Sequence, residues 1–119
     1  MYSLVRIAIA AINVDKMVSF YNQVFDAQFQ AIETGGGTFY AGQLAGLALT
    51  LIPNEVAQVD AKQNRQQLTF VVANLEEVLS KAVQAGGKKL VETLESPEGK
   101  QAAITDPDGN TIEFLEQPA

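Results

Sequence analysis

Apolar runs and polar breaks follow one another along this chain in an order that repeats once. Residues 4–11 are apolar except for Arg6 and predict a strand. Val5, Ile7 and Ile9 share one face of it, and Arg6, Ala8 and Ala10 the other. Asn13 offers an N-cap. Met17, Val18, Tyr21, Val24 and Phe25 then recur at helical spacing, with Asp15 in the first turn where the helix dipole favours a negative charge. Residues 29–32 predict a strand, and Gly35, Gly36 and Gly37 a mobile turn or loop at the mouth of a groove. Residues 38–41 predict a strand, 42–46 a turn, and 47–52 a strand in which leucines alternate with Ala48 and Thr50. Pro53 ends it, and the polar residues after it read as a linker.

The order then returns. Residues 67–73 predict a strand, and Asn74 caps a helix with Glu77 completing a capping box. Leu75, Val78, Leu79, Ala82 and Val83 form the apolar stripe, and Gly86-Gly87 stops the helix. Strands follow at 89–94, 101–105 and 111–116, with a tight turn at Asp106-Pro107-Asp108-Gly109. With a shift of about 61 residues, Arg6 falls on Gln67, Ile7 on Leu68, Ala8 on Thr69 and Asn13 on Asn74. Each half is a βαβββ module, and one module cannot cover both faces of its own sheet. The expected fold is α+β. Its two modules form one continuous, curved, mixed sheet of half-barrels around a groove, with helices outside. Module 1 spans about residues 1–54, the linker about 55–65, and module 2 about 66–119.

Composition narrows the chemistry. The 119 residues are 47% apolar, which suits one globular domain. Cysteine and histidine are both absent, which excludes disulfides, thiolate metal sites and imidazole acid–base chemistry. A net charge of −6 argues against nucleic acid as a partner. No apolar run is long enough for a membrane span, and the first residues lack the basic region of a signal peptide. A cytoplasmic location is the expectation.

Phe20-Tyr21 followed by Val24-Phe25-Asp26-Ala27, and Asp106-Pro107-Asp108-Gly109-Asn110 with Glu113, lie on this βαβββ repeat. Together they resemble the vicinal oxygen chelate superfamily of glyoxalase I, bleomycin-resistance proteins, fosfomycin-resistance enzymes and extradiol dioxygenases. The resemblance covers nearly the whole chain. In metal-using members four positions converge on the groove. The resemblance implies that they are Arg6, Gln67, Glu113 and either Thr50 or, with a register slip of two, Ala48. The metal-using pattern is His or Gln, Glu, His or Gln, and Glu. This chain departs from it, because a guanidinium is no ligand and repels a cation. No cofactor is expected; if a metal is held, Gln67 and Glu113 are its ligands.

The function so implied is binding of a small molecule in the groove, in the manner of bleomycin-resistance members. Arg6, Gln67 and Thr50 contact the ligand, together with Phe39 or Tyr40, since strand alternation turns only one of these two rings inward. The alternative is a glyoxalase-like lyase or epimerase, with Glu113 as base and Arg6 or a weakly bound metal as electrophile. Whether the protein is an enzyme stays open at this point. Arg6 and Glu113 are expected to face one another as an ion pair, within one chain or across two, and a homodimer is expected.

Overall fold

The computed structural model describes residues 2–119. Module 1 contains β1 (Arg6–Ala11), α1 (Val14–Phe25), β2 (Gln30–Thr34), β3 (Gly37–Leu44) and β4 (Leu47–Pro53). A short helix, α2 (Asn54–Ala57), opens the connection to module 2. Module 2 contains β5 (Leu68–Val71), α3 (Leu75–Gln84), β6 (Lys88–Ser96), β7 (Gly99–Thr105) and β8 (Thr111–Glu116).

Each module holds its own four-stranded mixed sheet, in the order β1-β4-β3-β2 and β5-β8-β7-β6. The first strand runs parallel to the last, and the other pairings are antiparallel. The sheet is therefore divided in two rather than continuous, because no ladder joins β1 to β5. Equivalent residues occupy equivalent registers. Ala8 lies beside Thr50, as Thr69 lies beside Glu113, and Leu49 and Leu51 answer Ile112 and Phe114.

Both turns of module 1 are tighter than the sequence reading. β3 runs on through Gly42 to Leu44, leaving only Ala45 and Gly46 to turn the chain, both at positive φ (49° and 88°). Two-residue turns of this kind suit the twist of a hairpin. Gly35-Gly36 is likewise a closed two-residue turn. Thr34 Oγ1 donates to Gly37 O at 2.8 Å and accepts from Gly36 N at 3.2 Å. Gly42 belongs inside the strand for a steric reason: Gln43 N donates to Ala27 O at 2.8 Å, so the Ala27 carbonyl crosses directly over it. A Cβ there would strike that oxygen and lie 2.8 Å from the Phe29 ring.

One face of each sheet meets the helices. Met17, Phe20 and Tyr21 of α1 and Leu75, Leu79 and Ala82 of α3 are buried there. They join Leu49, Leu51, Ile104 and Phe114 in a single core shared by both modules. Asn74 caps α3 by accepting from Glu77 N at 3.1 Å. The return half of a capping box is not made among the described residues. The N–H of Leu75, another first-turn donor, donates to Glu116 Oε1 of β8 at 2.7 Å. No helix among the described residues is long and apolar enough to cross a membrane.

Candidate functional site

The opposite face of the first sheet carries a hollow of about 460 Å³. Alternation builds it. Leu49 and Leu51 point to the core, so Ala48, Thr50 and Ile52 of β4 point away from it. On the neighbouring strands Arg6 and Ala8 of β1, and Phe39 and Ala41 of β3, share that face. Thr50 lies between Ala8 and Ala41 in the ladder and is 8% exposed. Its hydroxyl makes no side-chain hydrogen bond among the described residues. Tyr40, paired with Leu51, packs on the core instead. Alternation thus gives Phe39 to the hollow and Tyr40 to the interior.

Arg6, Thr50 and Phe39 are brought together, whereas Gln67 and Glu113 do not line this hollow. Gln67 is exposed just before β5. Glu113 is half-buried on the second sheet, where it accepts from Thr69 Oγ1 at 3.1 Å. The expected ion pair between Arg6 and Glu113 does not form within the chain. The only ion pair among the described residues joins Lys89 to Glu92 on the surface, at 3.6 Å. The physical reason is that the two charges sit on separate sheets, each beside its own module's strands.

Sequence reasoning missed the alanines that make room here. Their signal was present, since Ala8, Ala41 and Ala48 all fall on the face that excludes the large core leucines.

It also missed a polar clasp between the modules. Asp106 was read as turn chemistry alone, and it does serve the turn: its Oδ1 accepts from the N–H groups of Asp108 and Asn110, each at 3.0 Å. Its Oδ2 reaches further. It accepts from Asn110 Nδ2 at 2.8 Å and from the Tyr21 hydroxyl of module 1 at 2.7 Å. Asp108 meets the start of α1, accepting from Ile12 N (2.7 Å), Asn13 N (2.9 Å) and Asn13 Nδ2 (2.9 Å). Asn13 thus makes no side-chain cap of its own helix, contrary to the expectation, because its amide is turned to Asp108.

Burial pushes the Asp106 carboxyl above the ordinary aspartate range, and hydrogen bonds from Asn110, Tyr21 and Asp108 hold back part of that rise. Burial first, and then the Asp106 charge, also push the Tyr21 phenol well up. The folded protein binds the Asp106 proton more tightly than the unfolded chain does. Its contribution to stability is full below the unfolded pKa, about 3.9, and falls as the pH rises through the folded one. The stability advantage of the wild type over Asp106→Asn is therefore expected to shrink as the pH rises from about 4 through the raised folded pKa. Urea denaturation of both proteins across that range checks it; an advantage that grows with pH contradicts it.

Residues 3–114 match the family model of the glyoxalase/bleomycin resistance protein/dioxygenase superfamily. The chain belongs to this superfamily. A glyoxalase-related enzyme from Fulvimarina pelagi is similar in structure, at 20% identity and a TM-score of 0.76, over 99% of this chain and 90% of that one. A glyoxalase/bleomycin resistance protein/dioxygenase family enzyme from Burkholderia phytofirmans PsJN aligns at 20% identity and a TM-score of 0.77, over 98% and 100%. TnmS3, an antibiotic binding protein from Streptomyces sp. CB03234, aligns at 17% and 0.71, over 99% and 98%. No curated protein matches the chain in sequence.

Superfamily membership raises the question of a metal, and the side chains do not fit one. Of the four positions carried over, Arg6 and Thr50 lie on one sheet, Glu113 lies on the other, and Gln67 stands just before the first strand of that second sheet. A hard cation needs several converging oxygen or imidazole donors. No group of three or more His, Cys, Asp or Glu side chains gathers among the described residues. The polar groups of the hollow are the guanidinium of Arg6, an exposed residue, and the Thr50 hydroxyl.

Proposed function

We propose that this superfamily member binds a small molecule in the hollow of its first sheet, without a catalytic divalent metal. The observation that carries the reading is the hollow itself, a mostly apolar concavity of about 460 Å³ whose polar groups are those of Thr50 and Arg6. The Thr50 hydroxyl is open to the hollow and free to hydrogen-bond a ligand there. The mostly apolar lining with one or two polar groups is typical of small-molecule sites. The antibiotic-binding role of TnmS3 supports the reading by analogy of fold.

A homodimer belongs to the same proposal. On the face of the second sheet that carries Glu113, Val71 is 62%, Leu94 53% and Val91 41% exposed. A second copy of the chain covers these side chains and Glu113 with them.

The lyase reading needs base and electrophile at one reacting centre. In one chain Glu113 and Arg6 sit on different sheets, which disfavours it. The test is elemental analysis together with turnover of the methylglyoxal–glutathione adduct. The expected result is no stoichiometric divalent ion and no turnover. Turnover that is lost in Glu113→Gln would replace binding with catalysis.

A further inference from the structure

We infer that the ligand of this hollow is a flat aromatic acid of about two fused rings, its carboxylate held by Arg6. The inference rests on the reading of the hollow as a binding site, and adds the chemistry of what fills it.

The floor is flat because its side chains are small. Ala8, Thr50 and Ala41 lie side by side across three strands, with Ala48 next to Arg6 in the ladder. Three alanine methyls and the Thr50 methyl present a surface without ridges, which a planar ring covers better than a branched aliphatic chain does. Phe39 and Ile52 stand at the far end and give an apolar wall. From the row of Arg6 and Ala48 to Ile52 is four residues of strand, roughly 13 Å. That length takes two fused rings and a carboxylate.

The charge is specified as well. Arg6 makes no ion pair among the described residues. No carboxylate lines the hollow with it, so the one formal charge there is positive. A guanidinium at the end of an apolar floor selects an anion, and its planar fork matches a carboxylate with two parallel hydrogen bonds. Thr50, near the middle of the floor, has a hydroxyl left over for a ring oxygen or nitrogen.

Three probes with the same rings separate these features: 2-naphthoate, 2-naphthalenemethanol and 2-naphthylmethylammonium. The chain has no tryptophan, so naphthalene fluorescence excited on the long-wavelength side of tyrosine absorption reports binding. The acid is expected to bind roughly tenfold or more tighter than the alcohol, as one charge-assisted hydrogen-bonded contact allows, and the ammonium weakest. Arg6→Gln should bring the acid down to the level of the alcohol, and Arg6→Lys should keep part of the preference. Ala41→Phe, which fills the floor, should abolish binding of all three while thermal melting shows the fold intact. If the acid and the alcohol bind alike, or if Arg6→Gln leaves the acid unchanged, the inference is wrong and the hollow remains a binding site for something else. If none of the three binds, the inference also fails; the broader reading then stands or falls on whether the purified protein retains a molecule of another kind. If Ala41→Phe changes nothing, the probes bind elsewhere and both readings lose their support.

Discussion

Asp106→Ala is expected to lower the free energy of unfolding by about 3–5 kcal/mol, the net loss when several buried donors share one missing acceptor. The size follows from what is orphaned. Asp106 accepts four hydrogen bonds, from the Tyr21 hydroxyl, the Asn110 side chain, and the backbone of Asp108 and Asn110. Each donor left buried without a partner costs about 1–3 kcal/mol, and local relaxation recovers part of the sum. Asp106→Asn should cost less, since its oxygen can keep the two backbone bonds. Its amide would then face the Asn110 amide, donor against donor. Asn110 is held from turning because its own oxygen accepts from Asn64 N. Urea denaturation gives both values. A loss below about 1 kcal/mol for the alanine variant would show that the clasp is dispensable.

Phe114→Ala is expected to cost about 3–5 kcal/mol as well, by leaving a cavity where a fully buried ring stood. The ring belongs to module 2, yet its neighbours span both modules. The Phe25 ring of α1 stacks on it at 6.1 Å between centroids, and Phe70 of β5 lies at 6.2 Å. Phe25 and Phe70 are themselves 4.7 Å apart. Because this aromatic group joins α1 to the second sheet, the variant should still unfold in one transition, at lower denaturant. Two separated transitions would mean that the modules do not share a core.

The parts of the fold legible in the sequence are those set by local rules. The repeat, the strand alternation around Leu49 and Leu51, the cap at Asn74 and the stop at Gly86 need only neighbours along the chain. Matching Thr50 to Glu113 also held, because a strand register follows from the period of two once one leucine is placed. What was not legible depends on contacts distant in sequence. Nothing near Gly42 announces that the Ala27 carbonyl lies over it, so a glycine inside a strand was read as a turn. Asn13 and Asn74 look alike locally, and only the approach of Asp108 diverts the first from its cap. The ion pair between Arg6 and Glu113 is not made within the chain for the same kind of reason. Correct faces on two equivalent sheets do not bring two residues together when each sheet is separate. Of the candidate site, Arg6, Thr50 and Phe39 were legible as a set, while the alanine floor was passed over, although its positions could be read from the alternation, because alanine carries no chemistry of its own.

The central claim is that the first sheet holds a small molecule against Thr50 and Arg6 with no metal. Native mass spectrometry of freshly purified wild type beside Ala41→Phe tests it most directly. The account predicts a metal-free wild type, dimeric, carrying a small organic molecule that the filled variant has lost. A stoichiometric divalent ion, or the same molecule retained by Ala41→Phe, would contradict it.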